Sequence, residues 1–332
     1  MADIIETLTA RAEAVARHWR LPPQVPHLLK YRENAVFKVV LPDGGKAALR
    51  LHRPDYHSPD ALASELAWMA SLRRSGIAVP EPVVTADGRL LVAFDIEDGK
   101  RQYADLIGWM EGEPLGESGT PLSRGGSELQ AVFGAIGREM ARLHQAADGF
   151  TAPEGFERPA WDVQGLLGET PFWGRFWDCP GLREDDAVFL AGLRSRLRDR
   201  LASLAPSLDY GLIHADIVRE NVLVRGTDVA FIDFDDCGFG FRLFDLATTL
   251  LRNRREPDYP LIEAALLDGY ATIRPQMRTE FRHLPLFLLL RSLTYIGWAG
   301  ARPELPDTVD RLRRYVADAR DLADMQEWTA AP

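Results

Sequence analysis

The sequence predicts an α+β fold with two lobes, a small N-terminal lobe built on an antiparallel β-sheet and a larger, mostly helical C-terminal lobe. Short apolar runs separated by turns at Asp43-Gly44-Gly45 and Asp87-Gly88 are typical of β-hairpins. From Leu129 onward, apolar residues recur mostly at helical spacing. A chain of 332 residues is long enough for two cores. We expect the lobes to span residues 1–110 and 111–332.

The N-terminal lobe is predicted to open with a helix and to continue as strands around a second helix. In residues 3–19 the apolar positions have helical spacing, and Pro22-Pro23 follows as a stop signal. The second helix covers residues 58–75, with Ser58 as its capping residue and Pro59 in its first turn. The predicted strands are Arg32–Leu41, Ala47–His52, Val83–Val84, Leu90–Ile96 and Gln102–Met110.

The C-terminal lobe is predicted to be helical around two short apolar strands. A loop rich in glycine and serine, Gly116–Ser127, precedes its first helix. Residues 151–181 are dense in aromatic residues without clean periodicity, which favours a packed loop over the core. The predicted helices are Leu129–Ala147, Arg183–Ala205, Phe244–Asn253, Tyr259–Thr272, Gln276–Trp298 (its first part ended by Pro285) and Asp307–Met325, and the strands are Leu212–Ile213 and Val229–Ile232.

Composition and charge exclude several classes of protein. A net charge of −10 argues against a nucleic-acid partner, because phosphate neutralisation needs clustered lysine and arginine. Two cysteines are too few for a disulfide framework and suit a reducing cytoplasm, where we expect the protein to work. The N-terminus does not resemble a signal peptide, and no uninterrupted apolar stretch predicts a membrane span. The oligomeric state stays open.

Polar residues follow both predicted strands of the C-terminal lobe. His214 and Asp216 come after the first strand, and Asp233 comes directly after the second. Acids at the ends of buried strands are costly to desolvate unless they have a partner. A hard divalent cation is a natural partner for Asp233 and Asn221, because both offer oxygen ligands. Asp216 is then free to receive a proton.

The spacing of these residues resembles the catalytic core of the protein-kinase-like phosphotransferases. The match consists of His214-x-Asp216-x-x-x-x-Asn221 followed by Asp233-Phe234-Asp235. Asp235, where eukaryotic protein kinases have glycine, and Asp245-Leu246-Ala247 resemble the aminoglycoside phosphotransferase and choline kinase branch, near the homoserine kinases. The resemblance covers about residues 30–300 and implies a two-lobed protein-kinase-like fold. The alternative is that these acids only cap loops and turns.

The resemblance implies ATP and Mg²⁺ as cofactors and a role for each motif residue. Asp216 would be the catalytic base, and Asn221 with Asp233 would hold Mg²⁺ against the ATP phosphates. Asp235 would bind a second ion or contact the acceptor. His214 would shape the loop, and Asp245 would brace the loop by accepting hydrogen bonds from backbone N–H groups.

The resemblance also assigns nucleotide contacts in the N-terminal lobe. Arg50 occupies the place of the strand lysine that pairs with the α- and β-phosphates, and Glu65 resembles the helix glutamate that pairs with that cation. Arginine is not a neutral replacement for lysine. The alternative phosphate ligand is Lys46 or Arg53. If Arg50 and Glu65 have no role in function, we expect both side chains to be exposed to solvent. The adenine would bind the backbone from Leu106 to Trp109.

One position departs from the protein-kinase pattern. Two residues after the base, protein kinases place a lysine that meets the γ-phosphate, whereas this sequence has Val218. Arg219 would substitute if the loop turns it inward. If it does not, the γ-phosphate lacks a basic contact there and turnover should be slow.

The predicted acceptor is a hydroxyl of a small molecule, with an amino-bearing molecule as one candidate. Only eleven residues separate Asp233 from Asp245, which leaves no room for a long activation segment that holds a peptide. Acids near the motif and the tryptophans of residues 151–181 suit a cationic alcohol. The alternatives are a bacterial stress-response Ser/Thr protein kinase and a nucleotide-binding module without transfer activity. ATP turnover with a panel of acceptors separates the three.

Overall fold

The computed structural model describes residues 2–31, 34–304 and 307–326, and the chain forms two compact units. The first unit contains Met1–Glu113, Phe150–Arg158 and Ala230–Phe234. The second contains Pro114–Gly149, Pro159–Val229 and Asp235–Pro332. The predicted α+β class is confirmed, because the first unit carries an antiparallel sheet and the second is mostly helical. The first unit draws two short segments from the predicted C-terminal lobe, so the boundary at residue 110 stays a prediction.

The first unit is a five-stranded antiparallel sheet with two helices. The apolar stripe of the first helix packs on the sheet, where Leu8, Ala12 and Val15 share a buried core with Phe37 and Leu49. The order of the strands in the sheet is β1-β2-β3-β5-β4. The elements are α1 (Ala2–Ala16), β1 (His27–Tyr31), β2 (Ala35–Val40), β3 (Lys46–Leu51), α2 (Pro59–Arg74), β4 (Val92–Asp95) and β5 (Arg101–Gly108).

Two strand predictions for this unit were wrong. Val83–Val84 is not a strand: the prolines around it interrupt pairing, and only an isolated bridge joins Pro82 to Ile107. Strand β1 was not predicted, because the first strand was expected at Arg32–Leu41. The structure begins that strand at Ala35, while Arg32 and Glu33 lie outside the described residues.

The second unit is built from helices around a small sheet of three strands. The helices are α3 (Gly126–Asp148), α4 (Val163–Leu167), α5 (Glu184–Leu204), α6 (Arg242–Asn253), α7 (Tyr259–Ile273), α8 (Leu284–Gly300) and α9 (Thr308–Asp324). The sheet has the order β7-β11-β8, with β7 (Ala160–Trp161), β8 (Tyr210–Ile213) and β11 (Gly238–Phe241). Three further strands, β6 (Glu113–Pro114), β9 (Val222–Arg225) and β10 (Asp228–Phe231), lie at or near the points where the chain leaves one unit for the other.

Helices α3 and α7 of the second unit touch through their backbones. A β-carbon at Gly137 would overlap the carbonyl of Leu266, and one at Gly269 would overlap the carbonyl of Gly134. Glycine is therefore required at both positions for this close approach. The contact fixes the spacing of the two helices that carry His144 and Tyr270.

Two helical predictions for the second unit differ from the structure. Residues 276–283 form short 3-10 turns, and the helix that follows begins at Leu284. Pro285 therefore lies in the first turn of α8, where its missing N–H costs nothing, rather than at the end of a preceding helix. The predicted loop 151–181 contains β7 and α4. In the part of the chain that the structure describes, no helix is both long and apolar enough to span a membrane.

Candidate active site

The loop between β8 and β9 in the second unit is held by a buried carboxylate. Asp245, in the first turn of α6, accepts hydrogen bonds from the backbone N–H of His214 at 2.9 Å and of Ala215 at 2.7 Å. Ala215 has φ of 66°, a left-handed conformation that is uncommon outside glycine. Asp245 therefore stabilises a strained loop conformation, a feature that is concentrated at functional sites.

Asp245 is in turn fixed by a histidine in α3. The Nε2 atom of His144 lies 3.0 Å from Asp245 Oδ2, and its Nδ1 atom lies 2.7 Å from the Tyr270 hydroxyl. Burial lowers the pKa of His144 to about 4, although the contact with Asp245 opposes that shift. Burial would raise the pKa of Asp245, but the contacts with His144 and His214 hold it below its usual value. The bracing carboxylate is thus ionised beside a neutral imidazole at neutral pH.

The Asp216 carboxylate is held on both oxygens. Asn221 donates from Nδ2 to the carbonyl oxygen and to Oδ2 of Asp216, each at 3.0 Å. Arg291 donates from Nη2 to Oδ1 at 2.6 Å. The Asn221 amide nitrogen thus donates only to Asp216. Its Oδ1 atom accepts no hydrogen bond from the described residues. An amide oxygen in that state suits a hard cation.

Arg291 lies wholly inside the second unit. Its side chain is 0% exposed, although it carries a charge. The guanidinium carbon lies 4.5 Å from the ring centre of Trp173, 4.6 Å from that of Tyr295 and 5.3 Å from that of Phe244. These distances are within the range of cation–π attraction, so three rings surround the cation that pairs with Asp216.

Two acids follow Phe234 and differ in their surroundings from Asp216. Asp236 accepts a hydrogen bond from Trp173 Nε1 at 3.0 Å, and Asp235 is buried. Burial raises the pKa of Asp236 well above its usual value, and the charges of Asp216 and Asp235 raise it further. The Trp173 hydrogen bond and Arg291 only partly oppose that shift. Asp236 therefore retains a proton more readily than an ordinary carboxyl group.

Arg219 does not point toward Asp216. It donates from Nε to Asn253 Oδ1 at 2.9 Å and from Nη1 to the carbonyl oxygen of Thr120 at 2.7 Å, and it forms an ion pair with Glu256. Val218 is buried. The inward turn that would let Arg219 replace the missing lysine is therefore not observed in this structure.

In the first unit, Arg50 is the centre of a buried ionic cluster. Its Nε and Nη2 atoms donate to the two oxygens of Asp105 at 2.8 and 2.7 Å, and Nη1 donates to Glu65 Oε1 at 2.8 Å. His52 Nε2 lies 2.8 Å from Asp105 Oδ2. Burial would lower the pKa of Arg50, but Asp105 and Glu65 raise it well above its usual value. A solvated arginine and an exposed glutamate, the alternatives without function, do not fit this burial.

Several backbone groups of the residues predicted to contact the adenine already form hydrogen bonds within the first unit. Leu106 pairs with Leu49 inside the sheet and is fully buried. The N–H groups of Gly108 and Trp109 donate to the carbonyl oxygens of Glu81 at 2.8 Å and Lys46 at 3.2 Å. An adenine would therefore need the Trp109 carbonyl or backbone beyond it. The role of Leu106 and Trp109 stays a prediction.

Asp233 belongs to the first unit, whereas Asp216, Asn221 and Asp235 belong to the second. It has φ of 69°, so it shares with Ala215 a left-handed backbone that is rare for residues with a side chain. Its Oδ2 atom lies 3.7 Å from Lys30 Nζ, and both side chains are close to half exposed. A partly exposed carboxylate on a strained turn remains accessible to a cation.

The structure places the predicted residues in three groups: Arg50 with Glu65, His214 with Asp245, and Asp216 with Asn221. Sequence analysis missed two of their partners, Asp105 and Arg291. Asp105 carried a signal, since a lone acid in the apolar strand β5 requires a buried cation. Arg291 interrupted the apolar run of α8, which is the same kind of signal.

Comparisons with known proteins agree with this geometry. A family model described as a phosphotransferase enzyme family matches residues 28–280. A homoserine kinase of Chelativorans sp. is 31% identical over 266 residues, which cover 75% of this chain and 74% of that protein. The structure of a microcompartment-associated aminopropanol kinase is similar with a TM-score of 0.82 at 31% identity, covering 96% of this chain and 98% of that one. A choline kinase of Streptococcus pneumoniae, at 14% identity and a TM-score of 0.61, covers 96% and 99% and shows the shared fold. These similarities confirm the predicted protein-kinase-like fold.

Proposed function

Because the chain belongs to the phosphotransferase enzyme family and is a kinase that phosphorylates a hydroxyl group, we propose that it uses ATP and Mg²⁺ and acts on a small amino-bearing alcohol. One observation carries the proposal: the Asp216 carboxylate is fixed on both oxygens within a loop that a buried carboxylate braces. In this role Asp216 orients the acceptor hydroxyl and receives its proton. General-base catalysis of this kind contributes about 10²- to 10⁴-fold to a rate.

In the proposal, Asn221 and Asp233 hold Mg²⁺. The donor set fits the ion, because Asn221 Oδ1 has no donor of its own and Asp233 offers a half-exposed carboxylate. When bound, the cation neutralises charge on the phosphate oxygens of the nucleotide. Asp235 is buried and follows Asp233 by two positions in the sequence. It stays the candidate ligand for a second ion or contact for the acceptor.

Arg50 is the proposed contact for the α- and β-phosphates. Its guanidinium carries five N–H bonds, of which Asp105 and Glu65 take three. Two N–H bonds are left for an anion, and the two carboxylates fix the plane in which they point. A bidentate arginine fork matches phosphate geometry, so this replacement for lysine preserves the function in a different form.

The proposed acceptor combines a hydroxyl with a cationic amine. Asp236 is a buried carboxyl group that accepts a hydrogen bond from Trp173 Nε1, and an ammonium group of the acceptor would favour its ionised form. The similar proteins are a homoserine kinase and an aminopropanol kinase, and the compounds in both names carry an amine and a hydroxyl. In this proposal the enzyme works in the cytoplasm, where its two cysteines, which are not joined in a disulfide, stay reduced.

The test is ATP consumption with Mg²⁺ over aminopropanol, ethanolamine, homoserine, choline, an aminoglycoside and a generic protein substrate. We expect turnover with one amino alcohol and a loss of about 10²- to 10⁴-fold in Asp216→Asn. Asp228→Asn, which alters an exposed carboxyl group on the neighbouring strand β10, is the matched control and should retain activity. Turnover with protein alone would favour the stress-response protein kinase. ATP binding without turnover on any acceptor would favour the nucleotide-binding module.

A further inference from the structure

The catalytic loop lacks the basic residue that its sequence pattern leads one to expect. Val218 occupies that position, and Arg219 beside it is bound to Asn253, Thr120 and Glu256. The cation that does contact Asp216 comes from α8, 75 residues further along the chain. Arg291 Nη2 lies 2.6 Å from Asp216 Oδ1, a short charge-assisted hydrogen bond.

We propose that Arg291 is the positioning residue for the base Asp216 and supplies the countercharge that the loop itself does not. This role rests on the proposed function of Asp216. Arg291 fixes Oδ1 while Asn221 fixes Oδ2, so the plane of the carboxylate is determined from both sides. Each oxygen keeps a lone pair that can accept from the acceptor hydroxyl.

The surroundings of Arg291 direct its charge to Asp216. Its Nε and Nη1 atoms are buried and have no hydrogen-bond partner among the described residues. Trp173, Tyr295 and Phe244 cover the guanidinium with their rings, which attract a cation but do not accept its hydrogen bonds in the way a carboxylate does. Asp216 is therefore the single carboxylate paired with this arginine in the part of the chain that the structure describes.

This arrangement is a poor way to stabilise a fold. Burying a cation with two unsatisfied N–H groups costs free energy that a hydrophobic residue of similar length would not cost. Asp216 is 22% exposed, so water can solvate it if Arg291 is removed. Replacing Arg291 by methionine should consequently affect the reaction more than the folding, the reverse of what a structural arginine would show.

The experiment measures kcat, both KM values and the melting temperature of Arg291→Met, Arg291→Gln and Arg291→Lys. The control is Arg274→Met, which breaks two other ion pairs of the same unit, with the partly exposed Asp148 and Asp209. We expect Arg291→Met and Arg291→Gln to lose about 100-fold in kcat, as a misplaced base does, with KM for ATP and acceptor within about threefold and no lower melting temperature. Arg291→Lys should recover part of the loss. Arg274→Met should lower the melting temperature and retain kcat.

Each other result overturns the inference. A kcat within about threefold of the wild type in either uncharged variant would show that Asp216 needs no countercharge. If neither uncharged variant folds while Arg274→Met does, Arg291 is a folding residue. A wild-type protein without turnover on any acceptor would refute the proposed function and this role with it. An active wild type with an active Arg291→Met would refute the role of Arg291 alone.

Discussion

Arg50 donates to both oxygens of Asp105, at 2.8 and 2.7 Å, from the neighbouring strands β3 and β5. The two residues are direct partners in the sheet register, so the pairing is built into the strand alignment rather than into a flexible loop. Glu65 adds a third bond from α2. The guanidinium is thereby held in one orientation.

We expect Asp105→Ala to destabilise the protein by about 3 kcal/mol, because it leaves a buried arginine with one carboxylate instead of two. Urea unfolding of the variant and the wild type measures the difference. The control is Asp95→Ala in β4, whose ion pair with Arg101 is exposed on both sides and should contribute less than about 1 kcal/mol. Equal losses in the two variants would contradict the importance of the buried pair.

The stability of the fold should decrease as the pH falls from about 6.5 to about 4. The pKa of His144 is lowered from 6.5 to about 4 in the folded state, so over that range the unfolded chain binds a proton that the folded chain does not. The stabilisation is fully present above 6.5 and is lost as the pH falls to the folded-state value. The shift corresponds to about 3 kcal/mol.

His144→Gln tests this assignment, since glutamine can bond to both Tyr270 and Asp245 without titrating. Free energies of unfolding at pH 7 and pH 4.5 should differ less in the variant than in the wild type. The same difference in both proteins would assign the pH dependence between pH 7 and pH 4.5 to other groups. Asp245 is not one of them, because its lowered pKa acts at more acid pH.

Asn221→Ala should weaken the response to Mg²⁺. The variant removes the proposed amide ligand and one of the bonds that hold Asp216, so we expect the Mg²⁺ concentration at half-maximal activity to rise about 10- to 100-fold. The measurement is activity against free Mg²⁺. Asn253→Ala removes a buried amide that bonds Arg219 and the Thr249 carbonyl, and it should leave the Mg²⁺ response unchanged. A shift in both variants would point to loop damage.

The acceptor KM should depend on pH through Asp236. Burial raises the pKa of this carboxyl group, and an ammonium group favours its ionised form, so binding of an amino alcohol releases a proton. We expect KM for the amino alcohol to fall as the pH rises, and Asp236→Asn to remove that trend. A diol of the same size provides the control acceptor, because its KM should not respond to either change. Identical behaviour of the two acceptors would exclude Asp236 from amine recognition.

Local sequence signals predicted many of the helices and strands. They did not predict features that depend on residues far apart in the sequence. The hairpin β2–β3 and the long helices follow from turn residues and apolar spacing, and the fixed spacing of the motif predicts as site residues Asp216 and Asn221, which contact each other in the structure. Strand β11 was not predicted because it alternates glycine with phenylalanine; Gly238 is required there because a β-carbon would overlap the carbonyl of Pro159. The position of Arg291 in an apolar helix indicates a buried partner, but only the folded chain shows that this partner is Asp216.

The backbone contact between α3 and α7 has a consequence for the chemistry at some distance from it. No layer of side chains separates the helices at Gly137 and Gly269, so repacking cannot absorb a change in their separation. That separation fixes the hydrogen bond between His144 and Tyr270. Because His144 also contacts Asp245, it positions Asp245 and the loop N–H groups that donate hydrogen bonds to Asp245. Gly137 and Gly269 thus help to determine the position of the loop that carries Asp216, the proposed base, although neither lies in that loop.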